Sequence, residues 1–379
     1  MSNGSYRIVF VVQGEGRGHL SQALALKELL EEAGHHVTGL LVGGGERRPL
    51  PDYFARRMQM EPVRFPSPLT VPGPDRTGVS VPRTTLYNLA RAGAYRRAVE
   101  WIRGQVEDLR PDLVVNFYDA LGGVALGSGR IPVVSVAHQY LLGHPGTPAP
   151  PFRPLELATF RLLNRASAPG ATPRLALSFR DLPDGPTPHT RVVPPLLRRR
   201  VREAPVETAD HLLVYVVNDG YGDAIARWHE RNRHVLVHAF WDRPGAPEEE
   251  RPHANLTFHR LSDTRFLELM RTCRGFVGTA GFESVAEALW LGKPVLVVPT
   301  GNQVEQAWNA REAVAAGAGI ARRTFALDDF LAYLPNHRDV STEFRGWVQR
   351  GGARIRGVLE DAAAARTAGS GRAATARAE

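Results

Sequence analysis

The sequence is short of sulfur and of lysine. Its 379 residues hold one cysteine, Cys273, so an internal disulfide and any cysteine-based metal cluster are excluded. Cys273 ends the helical pattern Phe266 to Cys273 and reads as a small buried filler, not a nucleophile. Of 47 basic residues only Lys27 and Lys293 are lysine, so the net charge of +8 is carried by arginine. Arginine's planar fork suits phosphates and anionic lipid heads. A genome-wide preference for arginine is the plain alternative. No apolar run approaches the ~20 residues of a membrane-spanning helix. No basic segment leading into an apolar run opens the chain, so no secretory signal is expected and the expected location is the cytoplasm. Internal repeats are also missing.

What remains is a chain long enough for two domains, with 43% hydrophobic residues as in an ordinary soluble globular protein. Strand and helix patterns alternate along it. Tyr6–Val12 is an apolar strand, Gln13–His19 a glycine loop, Leu20–Ala33 an amphipathic helix and Val37–Val42 a second strand. The loop is not GxGxxG, because His19 stands where the third glycine would be, so a dinucleotide oxidoreductase is poorly supported. Residues 61–83 carry six prolines and read as one long irregular loop, followed by a helix from Thr84 to Leu109. Two later strands end in polar residues, Asn116/Asp119 and His138/Gln139, at the sheet edge that carries the His19 loop. Leu155–Ala166 is expected as a short helix near the cleft or a membrane. A charged, proline-containing stretch, Arg198–Glu207, marks the domain boundary. His211–Val217 then opens a second alternating half, with Asn218–Gly222 as its first turn.

The densest pattern lies between Gly275 and Asn309. Phe276-Val277 ends a strand, Gly278-Thr279-Ala280-Gly281 is a loop of small residues, and the apolar face from Val285 to Leu291 is a helix stopped by Gly292 and Pro294. Pro294–Pro299 is a β-branched run suited to a buried parallel strand. A glycine loop opening a helix offers free N–H groups and the positive end of the helix dipole to a phosphate. Glu283 and Glu287 lie one turn apart, and Asn302, Gln303, Glu305, Gln306 and Asn309 crowd the next loop and helix start. Amides and carboxylates at strand ends suit a hydroxyl-rich ligand. An ordinary βαβ unit with capping residues explains the glycine loop alone, but not the whole set.

This set resembles the donor-binding segment of nucleotide-sugar glycosyltransferases of the GT-B fold. The nearest likeness is to the lipid II N-acetylglucosaminyltransferase, the diacylglycerol glycosyltransferases and uncharacterised prokaryotic relatives. The resemblance implies an α/β fold of two Rossmann-like doubly wound domains facing across a cleft. Residues 1–200 would bind the acceptor and 201–361 the donor, with the last helix crossing back. Residues 362–379, rich in Ala, Arg, Gly and Ser without an apolar face, are expected to be a disordered tail. The implied donor set is Gly16, Gly18, Leu261, Thr279, Ala280, Gly281, Phe282, Glu283, Ser284, Glu287, Asn302, Gln303, Glu305, Gln306 and Asn309. Within it the glycine loop would hold the diphosphate, Glu287 the ribose, and Glu305-Gln306 the sugar. The lipid II enzyme has two glutamines at that last pair. His138 and Gln139 would face the acceptor.

An inverting transfer needs a base for the acceptor hydroxyl and a way to stabilise departing diphosphate. In plant-type relatives a histidine in the first loop is the base and an acid from a later strand orients it. Here these would be His19 and, by position, Asp119, with Asn116 as the alternative. His19 as a phosphate contact or cap stays open beside that role. No Asp-x-Asp pair of the kind that holds a cation in GT-A enzymes is present, so no metal is implied, and no cofactor beyond the nucleotide-sugar co-substrate. The expected partners are a UDP-linked or similar donor, a small-molecule or lipid acceptor and peripheral contact with an anionic membrane, with no nucleic acid. A nucleotide-sugar epimerase or hydrolase on the same fold, or a non-catalytic binding protein, would share the donor motif.

Overall fold

The computed structural model describes residues 4–45, 50–71, 73, 80–127, 129–170, 172–216, 221–241, 243 and 245–375. Residues 218–220 of the expected Asn218–Gly222 turn, and the end of the tail from 376, lie outside them. Two parallel-dominated sheets organise the chain. The first contains β1 (Arg7–Gln13), β2 (His36–Gly44), β3 (Val63–Pro66), β4 (Leu113–Phe117), β5 (Val133–Ala137), β6 (Arg174–Leu177) and β7 (Thr190–Val193), in the order β3-β2-β1-β4-β5-β6-β7. The second contains β8 (Leu212–Val216), β9 (Val237–Trp241), β10 (Glu249–His253), β11 (Leu256–Arg260), β12 (Gly275–Gly278), β13 (Val295–Val297) and β14 (Gly319–Ala321), in the order β10-β11-β9-β8-β12-β13-β14. All pairings are parallel except β10 with β11. The central strands are buried on both faces, as β4 and β5 are throughout, which is why they read as largely apolar runs, each with one buried polar residue, Asn116 and Ser135.

In each sheet the order of the parallel strands reverses once, between β1 and β4 and between β8 and β12. Ligands of such sheets bind at the carboxyl ends of strands flanking the reversal. Val12 of β1 sits opposite Phe117 of β4, so Tyr118 emerges beside the Gln13–His19 loop. In the second sheet Gly278 sits opposite Tyr215 and Val297, which brings the Thr279–Gly281 loop to its reversal point.

The connecting helices are α1 (Arg17–Glu32), α2 (Asp52–Met58), α3 (Val81–Leu89), α4 (Ala92–Leu109), α5 (Ala120–Leu126), α6 (Pro154–Ser167) and α7 (Arg199–Arg202) in the first half. The second has α8 (Gly222–Arg231), α9 (Asp263–Thr272), α10 (Phe282–Trp290), α11 (Val304–Ala315), α12 (Leu327–Tyr333) and α13 (Ser341–Thr375). One buried apolar cluster is shared by both halves, running from Leu20 and Leu24 of α1 to Phe282, Val285 and Leu289 of α10 and Phe344 of α13.

Three expectations need correction, and one strand, β10, has no counterpart in the sequence reading. The 61–83 segment is not wholly irregular. It contains edge strand β3, where flanking prolines are tolerated because one side of the strand has no partner, and Phe65 anchors it. The helix expected from Thr84 starts at Val81 and breaks at Ala90-Arg91 into α3 and α4. The charged Glu249–His253 stretch forms β10, an edge position where polar residues pair without burial. The segment from Ala362 is not disordered at its start. It continues α13 to Thr375, because alanine favours helix and Ile355, Leu359 and Ala363 form a buried stripe. The indole of Trp347 on α13 donates to Ser178 O (3.0 Å), and Gly351 lies so close to Pro194 that a Cβ would meet its ring at 2.1 Å. The last helix therefore packs on the first half.

Candidate active site between the two sheets

The first loop is built by close backbone approach. Gly14 N donates to Gly43 O (2.7 Å), and a Cβ on Gly14 would lie 2.6 Å from that oxygen, so no larger residue fits. Gly16 is the N-cap of α1 and supplies no side chain to its first turn. The helix starts at Arg17, three residues earlier than the periodicity suggests, and so takes His19 into its first turn. Gly18 faces Glu283, whose Cγ would be 3.5 Å from a Cβ there. The two helix N-termini, α1 and α10, thus abut.

His19 is half-buried and stacks on Tyr118, with centroids 5.8 Å apart. Its Nδ1 lies 3.1 Å from Gln22 Oε1, while Gln22 Nε2 donates to Glu283 Oε1 at 2.7 Å. The second bond fixes the amide's orientation: Glu283 Oε1 accepts it, and only the NH2 of Gln22 can donate. Gln22 Oε1 is then the acceptor for Nδ1–H of His19, which assigns the lone pair to Nε2. Desolvation by burial lowers the His19 pKa to about 4, so the ring is neutral at neutral pH.

Asp119 does not orient His19. Its carboxylate is fully buried, N-caps α5 by accepting from Gly122 N (2.7 Å) and accepts a second bond from Ser67 Oγ (2.7 Å). Among the described residues no hydrogen bond joins it to His19. Burial raises its pKa. The reason lies in Tyr118, whose φ of 58° turns the chain so that the ring, not the carboxylate, meets the imidazole. Asn116, the positional alternative, donates to Asp119 O and Ser167 O and holds the same turn. The orienting group is an amide at i+3 on His19's own helix. That spacing was the available signal for Gln22.

On the other side, Gly281 N-caps α10 in an extended conformation, and no side chain caps the helix. Thr279 and Ala280 are buried; Asn309 Nδ2 pins the loop through Ala280 O (3.1 Å), and Ser284 Oγ donates back to Gly281 O (3.3 Å). The two glutamates of α10 have different partners. Glu283 Oε1 accepts from the neutral Gln22 amide, and burial raises its pKa to about 8. Glu287 Oε1 accepts from Arg198 Nη2 (2.6 Å). Phe282 reaches across to the first half, stacking on His138 and on Phe179, each at 4.3 Å.

In the loop before α11, Asn302 is exposed with φ of 58°, and Gln303 is the N-cap residue, its buried Oε1 without a partner among the described residues. Glu305 Oε1 accepts from Gln139 Nε2 (2.8 Å), a second bond across the halves. Burial raises the Glu305 pKa, opposed by Gln139 and Asn309. Gln306 Oε1 accepts from Thr300 N (2.8 Å), so this atom shapes its own loop. His138 donates Nδ1–H to Leu177 O (2.8 Å), stacks on Trp308 at 5.0 Å and keeps a buried Nε2 without a partner among the described residues; burial lowers its pKa to about 4. Leu261 is partly buried against the shared apolar cluster. Gln22, Tyr118, Phe179, Arg198 and Trp308 are not among the site residues read from the sequence.

The Glu283 shift has a consequence for stability. A carboxyl whose folded pKa is raised contributes stability fully below its unfolded value near 4.5 and loses it as pH rises towards about 8. Glu283→Gln keeps a partner for Gln22 without a titrating group. It is expected to stabilise the protein by at least ~1 kcal/mol at pH 8 and by little at pH 4. Urea unfolding at both pH values measures this; an equal effect at both would show that Glu283 is not held protonated.

Residues 6–335 match the model of glycosyl transferase family 1. The chain belongs to that family. An uncharacterised glycosyltransferase of Methanosarcina acetivorans is 27% identical over 331 residues, 83% of this chain and 82% of its own. Arabidopsis thaliana UGT89C1, solved with UDP-L-rhamnose, superposes with a TM-score of 0.64 at 16% identity, covering 96% of this chain and 99% of that one. Acinetobacter baumannii MurG does so with a TM-score of 0.54 at 16% identity, covering 94% and 100%. At these identities the structural likeness shows the fold, which is GT-B. In this family 1 glycosyltransferase the residues gathered between the sheets are therefore the candidate active site.

Proposed function

We propose that the enzyme moves a sugar from a UDP-linked nucleotide-sugar to a hydroxyl of a small-molecule or lipid acceptor, with inversion and without a metal ion or resident cofactor. The observation that carries this reading is the neutral His19 imidazole, oriented by Gln22 and standing where the uncapped N-termini of α1 and α10 abut. Nε2 takes the acceptor's proton as the acceptor oxygen attacks the sugar's anomeric carbon. The bond to diphosphate breaks on the opposite face, and its charge is met by N–H groups of the Thr279–Gly281 loop and the α10 dipole. One displacement inverts the centre. The second half holds the donor, with Glu287 on the ribose and Glu305-Gln306 on the sugar. The first half, with His138 and Gln139, presents the acceptor. The UDP-L-rhamnose complex of UGT89C1 supports UDP as the carrier.

A thermal-shift screen over UDP-, GDP- and TDP-sugars, followed by product analysis with and without acceptors, tests it. Nucleoside diphosphate release that needs no acceptor would mean a hydrolase, and no shift with any nucleotide would remove the donor reading. Glu305→Gln is expected to weaken a nucleotide-sugar about 5–10-fold while barely affecting free UDP. Equal losses for both ligands in calorimetry would place Glu305 away from the sugar.

The acceptor side includes an anionic membrane surface. Val81, Leu86 and Leu89 on α3, Val124 on α5, and Leu155, Leu162 and Leu163 on α6 are exposed, with exposed Arg83, Arg91, Arg153, Arg161 and Arg165 on or beside α3 and α6. Apolar side chains interleaved with arginine suit the boundary between head groups and acyl chains. The protein is expected to co-sediment with phosphatidylglycerol vesicles, not with phosphatidylcholine ones, and Leu86→Glu/Leu162→Glu to lose that binding. Equal recovery with both lipids would count against this contact.

A further inference from the structure

Arg198 precedes α7 in the segment that joins the two sheets, and its side chain is 4% exposed. Its guanidinium is shared between two carboxylates of the second half. Nη2 donates to Glu287 Oε1 at 2.6 Å, and Nη1 donates to Asp263 Oδ1. Asp263, in the first turn of α9, is bound again through Oδ2 by Arg200 Nη1 (2.7 Å) and by Arg57 Nη2 (2.8 Å). Arg57 belongs to α2 of the first half. A continuous ionic chain thus runs from Glu287 through Arg198 and Asp263 to the other sheet's helix layer. Glu287 is itself 5% exposed, and among the described residues its Oε2 accepts no hydrogen bond.

A flexible glutamate has three side-chain torsions, and each must be frozen before it can grip a diol. A planar guanidinium anchored on a second carboxylate freezes them in advance. We propose that Arg198 is the positioning residue of the donor-ribose contact: it fixes Glu287 by Oε1, leaves Oε2 for the ribose hydroxyls, and through Asp263 and Arg57 couples that contact to the closed arrangement of the two sheets. This rests on the reading of Glu287 as the ribose ligand. Arg198 itself touches no substrate. Its removal acts on one part of the donor, the ribose diol, and leaves diphosphate recognition by the α10 N-terminus in place.

Calorimetry of the full chain with UDP and with 2′,3′-dideoxy-UDP separates these contributions. In the wild type, loss of the two hydroxyls is expected to weaken binding about 10-fold or more. In Arg198→Met the UDP affinity falls towards that of the analogue, and the ratio between the two ligands shrinks to about 2-fold, while Arg198→Lys recovers part of the ratio. A folded Arg198→Met that keeps the wild-type ratio overturns the proposal, since a purely structural loss weakens both ligands alike. If Arg198→Met does not fold, Asp263→Asn, which loosens Arg198 from its other side, is expected to give an intermediate ratio, and an unchanged ratio there overturns it as well. Glu287→Ala is the control for the underlying reading. If that variant retains the wild-type ratio, the ribose contact itself is elsewhere; if it loses the ratio while the Arg198 variants keep it, only the role of Arg198 fails.

Discussion

His19→Ala is expected to lower turnover by ~10²–10⁴ while donor affinity stays close to the wild-type value. The argument is geometric first. Gln22 Oε1 accepts a hydrogen bond from Nδ1–H and Gln22 is itself held by Glu283, so Nε2 is the free basic atom and the ring cannot rotate without breaking a two-bond chain. Tyr118 stacks against the ring and limits its tilt. The protonation state follows from burial: with a pKa of about 4, the base is in its active, neutral form at all pH values above that. The sign is that of a group needed uncharged, so activity is lost as pH falls through about 4, not near the 6.5 of an exposed histidine. A pH profile of kcat/KM reads this limb directly. Gln22→Ala is expected to cost less than His19→Ala, and the double variant little more than His19→Ala alone, because the pair acts as a unit. If His19→Ala instead weakens donor binding and leaves turnover at saturation intact, His19 is a phosphate contact. The base would then be sought at His138, whose buried Nε2 is without a partner among the described residues.

Glu287→Ala is expected to weaken UDP binding by ~1–3 kcal/mol, roughly 5- to 150-fold in Kd. Two effects combine. The carboxylate that would accept the ribose hydroxyls is gone, and Arg198, buried at its end of the ionic chain, is left with Asp263 as its remaining carboxylate partner. The second effect also acts on the free protein, so the melting temperature should fall with the affinity. Measuring affinity only in protein shown to be folded keeps the two apart. Unchanged affinity in such a sample would remove Glu287 from the donor site.

Much of the architecture is readable in the sequence. The interior of β1, Ile8–Val12, is a continuous apolar run because strands buried on two faces admit no alternation, and Gly292 and Pro294 stop α10 by local chemistry alone. The glycine loop, both α10 glutamates and the Glu305 cluster were placed at strand ends by the same local rules. Edge elements were less legible. The polar strand β10 owes its structure to its pairing with β11 and carries no apolar pattern of its own, and the alanine-rich end of α13 continues a helix whose buried stripe, Ile355, Leu359 and Ala363, begins before it.

What the tertiary structure alone decided is which polar groups pair. Asp119 is nearest by sequence logic to an orienting acid, yet it caps its own helix, and an amide on α1 holds His19 instead. Gln22 finds Glu283 261 positions away, Gln139 finds Glu305 166 away, and Arg198 finds Glu287 89 away. Local sequence fixes the period of a helix and the side on which a residue lies, because those depend on neighbours within a turn or two. It does not fix partners across a cleft, because these depend on how two independently patterned sheets are set against each other. Here α1, α10 and α13 set that packing, through the apolar cluster they share.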